Sequence, residues 1–299
     1  MTKQQKLKKY FNQKEKLTLK NPAYLRQVKR LTEDFLYEDL DGKDDITTKT
    51  LIKGNPKITA LVKAKENGVL AGLEETVWFL KNYQLLITNY KRDGATIKKN
   101  DKLLKISGGI KDILKIERTI LNLLQRMSGI ATQTHKLVLK VGDKVLICPT
   151  RKIQWGLVDK KAVTLGGGGT HRLGLYDWVL IKDNHLRVTG YGLRVTSKFW
   201  EIEAKTKKQV LEFVRLKPNA IMFDNFKPQN IKRILHKVDA KTKQNIIFEA
   251  SGGITEKNIA TYAKTGVDVI SLGSLTHSTK ALDISLDVIP IPSPFHSAG

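Results

Sequence analysis

The stretch "NIIFEASGGITEKNIATYAKTGVDVISLGS" (245–274) decides the fold class, because its pattern is strand, helix, strand. Two short apolar runs enclose a segment with helical spacing, and both runs end at polar residues and glycine. Similar apolar runs precede it at intervals of some 20 to 30 residues: "KVLICPT" (144–150), "DWVLIKD" (177–183), "FWEIEAK" (199–205) and "AIMFDNF" (220–226). Repeated βα units of this kind predict a parallel sheet whose strands are buried on both faces.

Charged and polar residues stand where these predicted strands end. In chain order they are Arg151, Lys152, Lys182, Glu203, Asp224 and Ser251. Because the carboxyl ends of parallel strands meet at one edge, we expect these side chains to line one site. Six strands are visible instead of eight, so the pattern predicts an incomplete α/β barrel. An open doubly wound sheet would gather ligands at the same edge.

The chain before residue 117 follows a different pattern. Apolar residues from Tyr24 to Leu40 have helix-like spacing, and the stretches 57–73 and 83–108 contain short strand signals separated by turn residues. This predicts an α+β domain with an antiparallel sheet. A helix that begins at about residue 117 then leads into the parallel units.

Length and composition restrict the class of protein. The 299 residues are 40% hydrophobic and 27% charged, as in a soluble globular protein. No apolar run approaches the roughly 18 residues of a membrane span, and the basic first segment lacks the apolar core of a secretory signal. The single cysteine, Cys148, excludes an intramolecular disulfide and fits a reducing compartment. We therefore expect a cytoplasmic protein.

The net charge of +24 is the most unusual bulk property of the chain. Such a balance is compatible with a nucleic-acid, anionic-membrane or small anionic partner. The basic residues are spread along the chain with few interleaved aromatic residues, which is not typical of an RNA-stacking surface. We expect no specific nucleic-acid partner and no membrane partner.

A basic cluster is the strongest chemical signal. It consists of "TRK" (150–152), "GGGGTHR" (166–172) and "LIKDNH" (180–185). Arginine binds carboxylates through two parallel hydrogen bonds, and lysine adds a point charge. The cluster therefore predicts a pocket for a ligand with several negative charges, although surface lysines and arginines are also common without any ligand.

Two further clusters complement the basic one. Glu203 and Asp224 end neighbouring strands and could hold Mg²⁺ together with a substrate pyrophosphate, or simply neutralise the basic pocket. The glycine-rich segments "ASGGI" (250–254) and "SLGSLTHS" (271–278) expose backbone amides and hydroxyl groups that suit a phosphate. Each glycine segment alone is weak evidence, but paired phosphate loops after the last strands are a recurrent arrangement in barrels.

These segments occur in the order seen in one enzyme family. The chain resembles quinolinate phosphoribosyltransferases from about residue 30 to residue 290. The longest shared segments are "ERTILNLLQRMSGIAT" (117–132) and "GGGGTHRLGLYDWVLIKDNH" (166–185), and shorter ones are "EDLDGKDDITT" (38–48), "GVLAGLE" (68–74), "EIEA" (201–204), "MFDNF" (222–226), "EASGGI" (249–254) and "GSLTHS" (273–278). The resemblance implies transfer of a phosphoribosyl group from phosphoribosyl pyrophosphate to quinolinate, with release of CO₂, in NAD biosynthesis.

The resemblance also implies an architecture and an assembly. It implies an N-terminal α/β sandwich over residues 30–116, joined by residues 280–299, and an incomplete α/β barrel over residues 117–279. Residues 1–29 form a basic extension outside the firm resemblance. A homodimer with shared active sites is expected, with Mg²⁺ bound alongside pyrophosphate and no organic cofactor.

Motif matching assigns individual residues to roles. The implied quinolinate site consists of Arg118 from the partner subunit, Thr150, Arg151, Lys152, His171, Arg172 and Lys182. Glu203 and Asp224 are implied near the ribose and Mg²⁺, and Ser251, Gly252, Gly253, Gly273 and Ser274 at the 5′-phosphate. We expect Lys152 or Lys182 to assist decarboxylation.

Two departures from the family pattern leave the shape of the base pocket open. Ile153, Gln154 and Trp155 stand where the family usually has Thr-Thr-Pro, and "DKKAVTLGGGG" (159–169) stands where many members have "EKYAVRCGGG". The alternatives are a noncarboxylating phosphoribosyltransferase for nicotinate or another anionic base, and a relative without catalysis. Retention of the complete basic set favours a substrate with two carboxylates.

Overall fold

A computed structural model describes residues 1–190 and 193–289. The chain divides into two compact units. The parallel-sheet unit consists of Met1–Leu17 and Gln133–Ser278, and the antiparallel-sheet unit contains Thr18–Thr132 and the segment that follows from Thr279. The first 17 residues thus belong to the parallel-sheet unit, whereas the sequence predicted a separate extension over 1–29. Residues 290–299, part of the expected C-terminal return, lie outside the described residues.

The described residues form twelve α-helices. Their bounds are α1 Lys3–Lys6, α2 Pro22–Leu40, α3 Ile46–Leu51, α4 Leu73–Leu80, α5 Ile110–Val141, α6 Leu157–Leu165, α7 Asp183–Thr189, α8 Lys207–Leu216, α9 Pro228–Lys237, α10 Ala240–Asn245, α11 Ile259–Ala263 and α12 Ser274–His277. A π-helical turn, Leu7–Phe11, continues α1, and a 3₁₀ turn covers Lys14–Lys16. None of these helices has both the length and the apolar character needed to cross a membrane.

The same residues form twelve strands. Their bounds are β1 Lys57–Ala64, β2 Gly68–Val69, β3 Leu86–Asn89, β4 Thr96–Ile97, β5 Lys102–Gly109, β6 Leu146–Pro149, β7 Val179–Ile181, β8 Trp200–Ala204, β9 Ala220–Asp224, β10 Ile247–Ser251, β11 Val269–Leu272 and β12 Ile284–Ile289. All six predicted strands of the parallel sheet are present, which confirms the predicted α/β class.

The antiparallel-sheet unit is built on a four-stranded sheet in the order β12-β1-β5-β3, with β2 and β4 forming a separate pair. Helix α5 begins at Ile110, seven residues before the predicted start at 117. Ile113 and Ile116 are fully buried at helical spacing, so apolar packing extends the helix backwards. Gly129 lies where a Cβ atom would approach the carbonyl oxygen of Lys280 to 2.2 Å, so this close approach requires glycine.

The parallel-sheet unit has the strand order β6-β11-β10-β9-β8-β7, with all pairs parallel. Alternate residues point to the same face of a strand. On β9 the apolar residues Ala220 and Met222 are followed on that face by Asp224, and on β10 Ile247 is followed by Glu249 and Ser251. One face therefore carries an apolar core at the amino ends of the strands and polar groups at the carboxyl ends.

The sheet is incomplete, because β6 and β7 are its two edges. The segment Gly168–Arg172 runs beside β6, where Gly169 N–H donates to the Ile147 carbonyl at 2.7 Å. Lys160 is fully buried, and its Nζ donates to the Thr170 carbonyl at 2.7 Å. Burial lowers the pKa of Lys160 to about 8. Phe11 of the N-terminal segment completes the apolar core between these elements.

Candidate active site

A cavity of about 760 Å³ lies at the carboxyl ends of the parallel strands. This volume falls in the range of small-molecule sites. Every site residue predicted in the parallel-sheet unit lines it: Thr150, Arg151, Lys152, His171, Arg172, Lys182, Glu203, Asp224, Ser251, Gly252, Gly253, Gly273 and Ser274. Arg118 lies on α5 in the antiparallel-sheet unit.

Arg172 is the most deeply placed cation of this cavity, with only 5% of its surface exposed. Its Nη1 donates to the Trp178 carbonyl at 3.4 Å, whereas its buried Nε has no hydrogen-bond partner among the described residues. Burial lowers the pKa of Arg172, and the positive charge of Arg151 lowers it further. A buried guanidinium with an unused donor beside a second cation favours an anionic ligand.

The segment Thr150–Lys152 follows β6 and is tied to the last helix of the unit. Lys152 N–H donates to Thr150 Oγ1 at 3.2 Å, and Thr276 Oγ1 donates to the Lys152 carbonyl at 2.7 Å. Arg151 and Lys152 are exposed towards the open cavity. These backbone contacts leave both cationic side chains available to a ligand.

Acidic groups occupy another part of the cavity. Lys182 Nζ forms an ion pair with Glu203, whose side chain is almost completely buried. Asp224 Oδ1 accepts a hydrogen bond from Asn225 Nδ2 at 3.0 Å. Two carboxylates are the hard oxygen donors that Mg²⁺ prefers, but Glu203 is already neutralised by Lys182. The pair therefore suits an ion held through water or substrate oxygens better than a dedicated protein cage.

The segment after β10 has a backbone suited to an anion. Gly252 and Gly253 have φ angles of +89° and +63°, in the left-handed region. A Cβ atom on Gly252 would approach Asn225 Oδ1 to 2.4 Å, so no larger residue fits. Asn225 itself has a positive φ, and its N–H donates to the Ser251 carbonyl at 2.8 Å. Successive amides in such a turn form a concave site for phosphate oxygens.

His171 lines the cavity, but both of its ring nitrogens contact protein groups. Nδ1 accepts a hydrogen bond from the Arg172 N–H at 2.8 Å, and Nε2 lies 3.1 Å from Glu249 Oε2 and 3.6 Å from Glu201 Oε2. Because Nδ1 accepts a hydrogen bond, Nε2 is the nitrogen that donates to Glu249. In this arrangement His171 contributes ring surface to the cavity, and its nitrogens fix the ring orientation.

His171, Glu201 and Glu249 also have the spacing of a metal site, with their ligand atoms within 4.8 Å of one another. All three residues are buried. Burial, and then the negative charge of Glu249, raise the pKa of Glu201 well above its usual range. Both ring nitrogens of His171 already contact protein groups, so the hydrogen bond between His171 and Glu249 describes the cluster better than a metal site.

The unusual segment after the basic motif has a structural explanation. Gln154 N–H and Trp155 N–H donate to Asp159 Oδ2 at 2.9 and 3.1 Å. Gly156 has a φ of +59° and precedes α6. Trp155 is absent from the described residues that line the cavity. The two hydrogen bonds to Asp159 hold this segment as the turn between Lys152 and α6.

Sequence reasoning missed several residues that support or line the site. Thr276 and His277 contribute to it from α12, and Lys160 holds the Thr170 carbonyl from beneath. The segment 271–278 predicts a phosphate site but not these individual contacts of Thr276 and His277, and Lys160 carries no sequence signal that distinguishes it from a surface lysine. The register of the sheet, which places Glu249 beside Met222, is also visible only in the structure.

Comparisons with known proteins agree with this geometry. The family model for the quinolinate phosphoribosyl transferase N-terminal domain matches residues 45–128 of the sequence, and the family model for the C-terminal domain matches residues 130–287. A probable carboxylating nicotinate-nucleotide pyrophosphorylase of Methanocaldococcus jannaschii is 40% identical over 265 residues, which cover 83% of this chain and 93% of the relative. The similarly named protein of Bacillus subtilis is 39% identical over 279 residues, covering 88% and 93%.

A solved structure leads to the same assignment. The crystal structure of nicotinate-nucleotide pyrophosphorylase from Ehrlichia chaffeensis superposes with a TM-score of 0.80 at 35% identity. The superposition covers 87% of this chain and 98% of that one. On the match of both domain models and on these relatives, the chain belongs to the quinolinate phosphoribosyl transferase family.

Proposed function

We propose that the chain transfers the phosphoribosyl group of phosphoribosyl pyrophosphate to the ring nitrogen of quinolinate and releases pyrophosphate, CO₂ and nicotinate mononucleotide. The observation that carries this proposal is the unused Nε donor of buried Arg172, which lies beside further cations in a cavity that also contains carboxylates and a glycine turn. The similarity to enzymes named as carboxylating pyrophosphorylases supports the same reaction.

Recognition of the base follows from charge and geometry. Quinolinate carries two carboxylates on adjacent ring carbons, and the cavity supplies Arg151, Lys152, Arg172 and Lys182. Guanidinium groups bind carboxylates through paired hydrogen bonds and so orient the ring as well as neutralise it. A fixed orientation directs the ring nitrogen towards the ribose C1 and lowers the entropic cost of the transfer.

The second substrate is expected at the polar edge of the cavity. We assign its 5′-phosphate to the amides and hydroxyls of Ser251, Gly252, Gly253, Gly273 and Ser274. Glu203 and Asp224 would hold Mg²⁺ indirectly, beside the ribose and pyrophosphate. When bound, this ion stabilises the negative charge that develops on the leaving pyrophosphate.

Decarboxylation then requires an electron sink and a proton. After ribosylation the positively charged ring nitrogen accepts the electron pair left when the adjacent C–CO₂⁻ bond breaks. An ammonium group can stabilise the resulting carbanion and donate a proton to the carbon, which becomes C–H. Lys152 and Lys182 are the cavity lysines, and we assign this role to one of them.

We further propose that the enzyme is a cytoplasmic homodimer in which Arg118 completes the partner's site. The family resemblance of "ERT" (117–119) supports the role of Arg118. The buried position of Cys148, where the pKa of the thiol is raised by burial, agrees with a cysteine that forms no disulfide. Recovery of the chain from a membrane or secreted fraction would contradict the cytoplasmic assignment.

The reaction is tested first by turnover of the purified chain. With quinolinate, phosphoribosyl pyrophosphate and Mg²⁺ we expect equal amounts of pyrophosphate, CO₂ and nicotinate mononucleotide. Omitting Mg²⁺ or adding a chelator should lower kcat by about 100-fold or more, because the charge on pyrophosphate is then unneutralised. Product formation from nicotinate alone would instead indicate the noncarboxylating reaction, and full activity without a divalent cation would contradict the role of Mg²⁺.

The assignment of the proton donor is tested by Lys152→Ala and Lys182→Ala. In the variant that lacks the donor we expect kcat to fall by about 10² to 10⁴. Pyrophosphate release should then exceed CO₂ release in a single turnover, because ribosylated quinolinate accumulates. Lys232→Ala, an exposed lysine on α9, is the matched control. Equal release of both products at wild-type rates in both cavity variants would exclude the role.

The shared site is tested by mixing two inactive variants. Arg118→Ala and Asp224→Asn chains are each expected to be inactive. The first cannot supply the arginine to its partner's site, and the second lacks a carboxylate in its own site. After mixed refolding at equal amounts, hybrid dimers with one intact site should restore about a quarter of the wild-type turnover. A mixture that stays as inactive as the separate variants would contradict sharing.

A further inference from the structure

The N-terminal segment, residues 1–17, has no role in the reaction described above. It lies outside residues 45–128 and 130–287, which the family models match. Within the parallel-sheet unit, however, this segment contacts the chain on both sides of His171 and Arg172. Both residues line the cavity, and Arg172 is the buried arginine that favours an anionic ligand.

The first contact is made by the carbonyl oxygen of Phe11. It accepts hydrogen bonds from Thr170 N–H at 2.7 Å and from His171 N–H at 3.2 Å. A Cβ atom on Gly169 would approach this oxygen to 2.4 Å, so the glycine permits the contact. His171 has a φ of +51°, which is unfavourable for a residue with a side chain and needs support from its surroundings.

The second contact is made by Gln13, which is 1% exposed. Its backbone N–H donates to Thr170 Oγ1 at 3.1 Å, and its side-chain Nε2 donates to Asp177 Oδ2. The same Asp177 oxygen accepts Leu173 N–H at 2.9 Å. Gln13 therefore contacts the residue before His171 and, through one carboxylate, the residue after Arg172.

Aromatic packing fixes the segment against the same region. The Phe11 ring lies 5.2 Å from the His171 ring in an edge-on arrangement and 5.4 Å from the Trp178 ring. Tyr10 stacks on Phe199 at 4.1 Å, and its carbonyl accepts Trp178 Nε1–H at 3.3 Å. Phe11 is fully buried, so the segment is part of the core of this unit and not a surface arm.

Lysines at the start of the segment attach it to the chain just before β10 and β11 of the same unit. Lys3 Nζ lies 2.7 Å from Asp268 Oδ2 and donates to the Lys243 carbonyl at 2.7 Å. Lys6 Nζ donates to the Asn245 carbonyl at 2.9 Å. Two of the basic residues that raise the net charge of the chain therefore have structural partners.

We propose that the N-terminal segment is a positioning element that holds His171 and Arg172 in the geometry that binds the dicarboxylate base. This inference rests on the proposed function, because the base named is quinolinate. Gln13 is its key residue, because its backbone N–H restrains Thr170 and its side chain, through Asp177, restrains Leu173 at the other end of this short segment. The 5′-phosphate residues lie on β10, α12 and their loops, which Gln13 does not contact among the interactions described above.

The test compares Gln13→Ala with the unsubstituted enzyme. We expect the KM for quinolinate to rise about tenfold, while the KM for phosphoribosyl pyrophosphate stays within about twofold, because only the base-binding segment is loosened. Backbone hydrogen exchange at Leu173, whose N–H shares the Asp177 oxygen with the Gln13 side chain, should be faster in the variant. Lys14→Ala, at an exposed neighbouring position, should match the unsubstituted enzyme in both measurements.

A second variant tests the same proposal in case Gln13→Ala does not fold. Gln13→Glu keeps the side-chain size but places a carboxylate beside Asp177, and the same selective rise in the quinolinate KM is expected. Equal increases in both KM values, or unchanged KM and exchange in both variants, would overturn the positioning role. If the unsubstituted chain did not turn over quinolinate, the proposed function would fail, and the exchange rate at Leu173 would still decide whether the Gln13 side chain restrains this segment.

Discussion

The polar edge of the six-stranded parallel sheet is the constraint on which the site depends. Because neighbouring strands are parallel and in register, residues that alternate along each strand accumulate on one face. Met222 lies level with Glu203 on one side and Glu249 on the other, while Asp224 lies level with Ser251. The apolar half of this face forms a core. The polar half lines the cavity, where its charged groups are available to a ligand.

An incomplete sheet needs other backbone to cover its edges, and here that backbone carries functional residues. The segment Gly168–Arg172 lies beside β6 and brings Arg172 to the cavity. It is held from within by the Lys160 ammonium and from outside by the Phe11 carbonyl. Contacts that complete the fold at this edge therefore also position Arg172, so that stability and the proposed recognition of the base depend on the same hydrogen bonds.

Much of this arrangement could be predicted from sequence, because short apolar runs and strand-end polarity are local signals. The six apolar runs and the clustering of Arg151, Lys182 and Asp224 required no knowledge of tertiary contacts. The residue pattern alone predicted only an anionic ligand. The substrate and the reaction came from the resemblance to a family. Arg118 was also supplied by resemblance, since a lone arginine on a long helix is indistinguishable from a surface residue.

Contacts between distant parts of the chain could not be predicted in this way. The sequence predicted a basic extension over residues 1–29, but Phe11 and Gln13 are buried in contacts with residues about 160 positions away along the chain. The orientation of His171 depends on a carboxylate from β10 and on a positive φ, neither of which has a signature in "GGGGTHR" (166–172). Such features arise from packing, and a local pattern contains no information about them.

The central claim is that this cavity recognises two adjacent carboxylates, and equilibrium binding tests it most directly. Calorimetric titration of the unsubstituted chain and of Arg172→Leu would compare quinolinate with nicotinate in the absence of the second substrate. The account predicts that the unsubstituted chain binds quinolinate at least about tenfold more tightly than nicotinate, and that Arg172→Leu loses this preference. Equal affinity for the two bases in the unsubstituted chain, or a preference that survives in Arg172→Leu, would contradict it.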